Sequence, residues 1–202
     1  RPEVINILKK DLRFTDKSIE KLKKFIRLVL KENKNHNLIA KSTENQVWVR
    51  HVLDSAQLVK FIDFKTNSLA DLGTGAGFPG LVLEIFNKNK AFHVKLYEKS
   101  PVKRSFLKKV INDLKLKAEV LGDIRDQKID SDIIVCRAFK KLEKIIQVSR
   151  EIAKKPHKLI ILKGQNAQEE INKSLKTKKY PYKLESSLTN KDSKIILMQI
   201  NK

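Results

Sequence analysis

The chain of 202 residues holds one cysteine, Cys136, and only six glycines. A lone cysteine makes no intrachain disulfide and fits a reducing compartment. No apolar run approaches the roughly 18 residues of a membrane span. No signal peptide is visible; because the chain opens at Arg1 rather than Met, a missing preceding segment is expected. The four histidines, His36, His51, His93 and His157, are scattered, with no H-x-x-H or Cys/His cluster, so no metal site is expected. Internal repeats and low-complexity linkers are also lacking. Acidic residues are scarce: 23 Asp+Glu stand against 44 Lys+Arg, a net charge of +21. That balance points to a polyanionic partner, since nucleic acid binds mostly through its phosphates. A lysine-rich composition that merely solvates the surface is the competing reading. With 41% hydrophobic residues the chain can bury a core, as one domain or one domain with an elaboration.

Scarce glycine makes its clustering informative. Ser68-Leu-Ala-Asp71-Leu-Gly73-Thr-Gly75-Ala-Gly77-Phe78-Pro79-Gly80 reads as a short apolar strand, a glycine-dense turn and an amphipathic helix opened by Pro79. Such a turn presents bare main-chain N–H groups to a ligand. Two cofactor readings compete. Gly75-Ala-Gly77-Phe-Pro-Gly80 matches the dinucleotide pattern G-x-G-x-x-G, with Glu98 at about the ~20-residue distance of its ribose-binding acid, which is the reading of an NAD-dependent oxidoreductase. Asp71-x-Gly73-x-Gly75 is the pattern of S-adenosylmethionine (AdoMet) methyltransferases, whose strand-end acid lies near the cofactor's amino-acid moiety. The acid and the extra glycine favour AdoMet.

The first third reads as helical. Ile19, Leu22, Phe25, Ile26, Val29 and Leu30 recur at helical spacing behind Thr15 or Asp16 as N-cap. Ser42 or Thr43 is the expected cap of a second helix carrying Val47 to Val59. From Ser68 the pattern alternates: strands over 68–71, 92–97, 118–121, 132–136 and 158–162, helices over 79–87, 101–115, 141–155 and 167–175. This predicts an α/β fold with a mostly parallel sheet covered on both faces. Residues 182–187 and 194–200 read as two strands joined by so short a turn that they pair antiparallel. A parallel sheet closed by an antiparallel C-terminal hairpin is the Rossmann-like AdoMet methyltransferase arrangement, a second reason to prefer AdoMet. The expected division is a helical N-terminal extension over 1–62 and a methyltransferase domain over 63–202.

Ligands of an open α/β sheet sit at the carboxyl ends of its strands. The residues placed there are Asp71 with its loop, Glu98, Gly122-Asp123-Ile124-Arg125-Asp126, Cys136-Arg137-Ala138-Phe139 and Lys163-Gly164. Glu98 offers two acceptor oxygens to the vicinal diol of a ribose. Arg137 follows an apolar strand and either points into the cleft or pairs with a nearby acid. Its replacement by alanine is expected to cost activity with little change in melting temperature. His51, among apolar neighbours, reads as a hydrogen-bonded core or cap histidine. Cys136 lacks the Pro-Cys context of a nucleophile and reads as a small buried residue. No Asn/Asp-Pro-Pro-aromatic motif for amino-group methylation is present. An acceptor that is already a nucleophile, such as guanine N7, then needs only placement against the methyl group. The basic contacts to RNA are placed at Arg50, Lys103, Arg104 and Lys163. A non-catalytic RNA-binding scaffold remains a further alternative.

Asn35-His-Asn37-Leu38, Arg50-His51-x-x-Asp54-Ser55, the loop 71–80, Lys103-Arg104-x-Phe106-Leu107, Arg137-Ala138-Phe139 and Leu162-Lys163-Gly164 occur in the order found in the RsmG (GidB) 16S rRNA guanine-N7 methyltransferases, which the chain resembles along nearly its whole length. The resemblance implies a cytoplasmic enzyme, expected to be a monomer, that methylates a guanosine in the decoding-region loop of small-subunit rRNA, free or in an assembling 30S subunit. Another RNA or a ribosomal protein is the alternative acceptor. The family's AdoMet contacts would carry over to Gly73, Phe78, Ile124, Arg125 and Arg137, and Arg137 would orient the acceptor. The family reads Arg-x-Glu after the third strand. Here Asp123-x-Arg125 carries the charges swapped, as a pair able to attract each other. Ile39, Glu32 and Cys136 replace a usual Thr, a frequent Trp and a usual Ser.

Overall fold

A computed structural model describes residues 1–137, 140–176 and 178–201; the Ala138-Phe139 part of the strand-end element lies outside them. Seven strands form one sheet in the order β3-β2-β1-β4-β5-β7-β6. The strands are β1 (Ser68–Leu72), β2 (His93–Tyr97), β3 (Glu119–Leu121), β4 (Ile133–Arg137), β5 (His157–Lys163), β6 (Tyr182–Ser186) and β7 (Lys194–Ile200). The first five run parallel, and β7 pairs antiparallel with both β5 and β6. An all-parallel dinucleotide-binding sheet of order 3-2-1-4-5-6 has no such inserted antiparallel strand.

Alternate residues of each central strand serve opposite faces. Leu69, Ile133, Val135, Ile160 and Leu162 join the core beneath α4 (Gly80–Phe86) and α5 (Pro101–Leu114). Ala70, Leu72, Ile134, Cys136, Leu159 and Ile161 join the core beneath α6 (Leu142–Ile152) and α7 (Ala167–Ser174). Both faces being covered, the strands read as continuous apolar runs rather than alternating ones.

Of the N-terminal helices, α2 (Asp16–Glu32) adds a further layer over α4 and α5, while α1 (Pro2–Lys10) packs on α2 and on residues 48–53. The Thr15 hydroxyl accepts from the Ser18 N–H at 3.1 Å, as an N-cap should. Ser18 in turn donates to the Ile85 carbonyl at 2.9 Å, and Phe14 packs on Phe86. This layer corrects the reading of α4 as amphipathic: Gly80 through Ile85 are all buried, because helices cover its outer side as the sheet covers its inner side. Pro79 stands just before that helix, after a cis Phe78–Pro79 bond.

The second predicted helix is also corrected. Residues 41–61 form a composite: a 3-10 helix Lys41–Gln46, a π turn Trp48–Leu53, one α turn α3 (Asp54–Ala56) and a 3-10 helix Gln57–Phe61. Ser42 and Thr43 lie inside its first turn and do not cap it. The π turn lies where His51 and, just after it, Asp54 meet Arg137 of β4, and such bulges recur at functional sites.

Candidate functional site

The sheet's strand order reverses between β1 and β4, which opens a crevice at their carboxyl ends. Asp71, next to the end of β1, is fully buried. Its Oδ2 accepts from the Thr74 hydroxyl at 2.6 Å and from the Gly80 N–H at 2.8 Å, so one carboxylate oxygen ties the two ends of the loop together. Its Oδ1 has no hydrogen-bond partner. Burial, opposed by those two bonds, pushes its pKa up to about 7. Glu98, just past β2, accepts from the Gly75 N–H at 2.8 Å through Oε2 and from the Ser100 N–H at 2.9 Å through Oε1. The acid assigned to a ribose thus also braces the glycine loop, each oxygen retaining a second acceptor direction.

Within the loop, Gly73 and Gly75 have φ of +69° and +60°, and a Cβ at either would meet nothing within 4 Å. Here the chain needs glycine for its left-handed backbone, and the main chain faces open space. The loop therefore fits a ligand laid against bare backbone, with carboxylates at both ends. AdoMet, with a ribose diol, an α-ammonium group and a sulfonium, suits that donor and acceptor set. At Phe78, any contact with the cofactor falls to the main chain. Its ring is buried against Phe25 and His51, each 5.1 Å away, so only its main chain borders the loop.

Ile124 and Arg125 form a 3-10 turn after β3, on the same side as Glu98. The charge-swapped pair does attract: Arg125 Nη2 lies 2.6 Å and Nε 3.0 Å from Asp123 Oδ2. These bonds, with one from the Arg125 N–H, hold Asp123 down at about pKa 2.

Arg137, at the end of β4, satisfies both sequence readings. Its Nη2 donates to Asp54 Oδ2 at 2.9 Å and to the Arg50 carbonyl at 2.6 Å, yet it also borders the cleft. Its Nη1 lies 2.8 Å from His51 Nδ1. A guanidinium only donates, so Nδ1 accepts and the His51 proton sits on Nε2. Nε2 then donates to Thr43 Oγ1 at 2.8 Å, and Thr43 donates to the Ala40 carbonyl at 2.7 Å. Burial, and after it the Arg137 and Arg50 charges, lower the His51 pKa to about 4, which keeps this chain of bonds intact at neutral pH. His51 is thus a hydrogen-bonded, buried histidine, as expected.

A cavity of about 320 Å³ lies beside Arg137, at the carboxyl ends of β4 and β5. Arg50, Arg137, Lys163 and Lys194 bring four cations to it, and Asp54 the one carboxylate. The four RNA candidates do not converge. Arg50 and Lys163 line this cavity, but Lys163 is paired with Glu170 at 2.8 Å and its side chain is only 12% exposed. Lys103 and Arg104 lie on α5, where Arg104 donates to the Glu98 and Lys99 carbonyls at 2.9 and 2.7 Å and so fixes the β2–α5 connection. Cys136 is fully buried, and burial pushes its thiol well above the ordinary range, so it is not a nucleophile. Among the described residues no group of three or more His, Cys, Asp or Glu comes together, and no helix is long and apolar enough to cross a membrane.

Sequence reasoning missed Gln57 and Thr189. Gln57 is 1% exposed, and Thr189 Oγ1 donates to Asp54 Oδ1 at 2.9 Å. The available signal was the i, i+3 spacing of Asp54 and Gln57, which puts both on one helical face.

The strand order, the antiparallel β7 and the Asp71-x-Gly-x-Gly turn at the switch point together define an AdoMet-dependent methyltransferase. Solved structures share the fold: a SAM-dependent methyltransferase from Aquifex aeolicus matches with TM-score 0.58 at 16% identity, over 75% of this chain and 91% of that one. The family model described as rRNA small subunit methyltransferase G (GidB) matches residues 18–196. Proteins named ribosomal RNA small subunit methyltransferase G are 38% identical in Rickettsia felis, covering 88% of this chain and 91% of that protein, and 35% identical in Orientia tsutsugamushi strain Ikeda, covering 98% of each. The chain belongs to the rRNA small subunit methyltransferase G family.

Proposed function

We propose that this protein transfers a methyl group from AdoMet to N7 of a guanosine in the decoding-region loop of 16S rRNA. The observation that carries the reading is the pairing of an open glycine cradle at β1 with a cation-lined cavity at β4 and β5, in a chain of this family. Gly73 and Gly75 give the cofactor main chain, Glu98 its ribose acceptor, Asp71 the charge at the amino-acid end, and Ile124 and Arg125 the border beyond β3. AdoMet, when bound, supplies an electrophilic methyl group carried on a sulfonium. Arg137 orients the acceptor nucleotide, and Arg50, Lys163, Lys103 and Arg104 contribute to holding RNA phosphates.

Neither His51 nor Cys136 is available as a base, and Asp71 is fully buried, with one oxygen tied to Thr74 and Gly80. His51 is neutral and bonded at both ring nitrogens, and Cys136 is sealed in the core. Guanine N7 needs none, because its lone pair carries no proton. Catalysis then rests on placement and on the field of the cavity. Asp54, the carboxylate of that cavity, offsets the positive charge the ring acquires. Residues 63–202 form the methyltransferase domain and 1–62 a helical extension that brings Arg50 and Asp54 to the acceptor cavity. The protein acts in the cytoplasm, as a monomer, on small-subunit rRNA or the assembling 30S subunit.

The test is methylation of small-subunit rRNA, with and without its proteins, using labelled AdoMet. The methylated guanosine should become cleavable by borohydride followed by aniline. A methyl group found on ribose, on carbon or on an exocyclic amine refutes the reading.

A further inference from the structure

Gln57 is a buried amide whose oxygen and nitrogen are both engaged, locally at Asp54 and across a long stretch of chain at Ser187 and Leu188. Its Oε1 accepts from the Leu188 N–H at 2.8 Å. Its Nε2 donates to Ser187 Oγ at 3.2 Å and to the carbonyl and Oδ1 of Asp54, both at 3.1 Å. Ser187 and Leu188 open the turn between β6 and β7, and that turn supplies Ser187, Thr189, Asn190 and Ser193 to the cavity beside Arg137. Asp54 completes the linkage, holding Thr189 through one oxygen and Arg137 through the other. Leu188 itself is 47% exposed, so its apolar side chain does not anchor the turn in a core. Polar bonds to Gln57 and Asp54 do so instead.

We infer that Gln57 is a positioning residue for the acceptor nucleotide, acting through the β6–β7 turn and through Asp54 on Arg137. It touches neither cofactor nor substrate. The inference rests on the reading of the cavity as the acceptor side, and it assigns the turn, held from the N-terminal segment, the task of setting that cavity's shape. Because Gln57's hydrogen bonds run to Asp54, Ser187 and Leu188 rather than to the glycine loop or Glu98, its loss should leave cofactor binding unchanged.

Gln57→Met keeps the side chain's length and removes its hydrogen bonds; Thr189→Val, on a partly exposed turn, breaks the same linkage without touching a buried site. In each, AdoMet affinity by calorimetry should stay within about twofold, while kcat/KM for rRNA falls about tenfold to a hundredfold, the scale of a displaced binding wall. The loss should fall mainly on KM, as expected when ground-state binding is removed. The double variant should be little worse than the poorer single one, since both cut one linkage. Normal activity per folded molecule in either single variant overturns the inference. So does AdoMet affinity falling in step with activity, or a fully additive double variant. Wild-type protein that does not methylate rRNA would instead sink the functional reading beneath it.

Discussion

Gly75 and Gly80 sit five residues apart in one loop and should fail in opposite ways. At Gly80 an added Cβ would stand 2.2 Å from Leu96 Cδ2 and 2.8 Å from Asp71 Oδ2. Leu96 is fully buried in the middle of the sheet, so it cannot swing away into solvent. Overpacking of a filled core costs about 1–3 kcal/mol. The same clash pushes Asp71 from the Gly80 N–H and so loosens the loop. At Gly75 an added Cβ meets nothing, and the cost is the left-handed backbone alone, about 1–2 kcal/mol. That Cβ stands on the ligand side. Gly80→Ala should therefore lower the unfolding free energy by about 1–3 kcal/mol, or roughly 2–4 °C of melting temperature for each kcal/mol in a chain of this size. Gly75→Ala should cost stability at the lower end of that range but abolish most AdoMet affinity in the folded protein. Urea unfolding paired with calorimetric titration separates the two. Unchanged stability in Gly80→Ala would show that the close approach of α4 to β1 and β2 is not needed. Intact AdoMet affinity in folded Gly75→Ala would remove the cofactor from this loop.

Arg137→Ala removes the bonds joining β4 to residues 50–54, so the expectation of little thermal change gives way to a loss of about 1–3 kcal/mol alongside lost transfer. An unchanged melting temperature would return Arg137 to a purely functional role. His51 and Asp71 titrate with opposite effect. The folded pKa of His51, about 4, lies below its ordinary 6.5, so its contribution to stability is complete above pH 6.5 and lost as pH falls toward 4. That of Asp71, about 7, lies above its ordinary 3.8, so its contribution is complete below 3.8 and lost as pH rises toward 7. Relative to wild type, Asp71→Asn should gain stability as pH rises from 4 to 6.5 and His51→Gln should lose it, each by up to about 1.4 kcal/mol per pH unit. Parallel pH profiles for wild type and variants would mean that neither group is perturbed. Affinity for rRNA should fall linearly in log–log form with salt, and a flat dependence would reduce the net charge of +21 to composition alone.

Local chemistry determined much of this protein. The apolar runs and their alternation with helical patterns placed all seven strands within a residue or two, the central ones because a sheet covered on both faces makes each a continuous apolar run. The short link between β6 and β7 fixed their antiparallel pairing, and the glycine loop with Asp71 and Glu98 was legible because a backbone cradle requires glycine wherever it is found. Tertiary structure decided what depends on distant partners. The buried outer side of α4 follows from α2 and Phe14 packing over it; the nearly unbroken apolar run Gly80–Phe86 signals burial all round but not which elements supply the cover. The pairing of Arg137 with Asp54 and His51 spans more than eighty residues, and the bonds of Gln57 to Ser187 and Leu188 span more still. Hydrogen bonds and cavities are made by whichever side chains the fold brings within about 3 Å, and that proximity is a property of the packed molecule rather than of any segment.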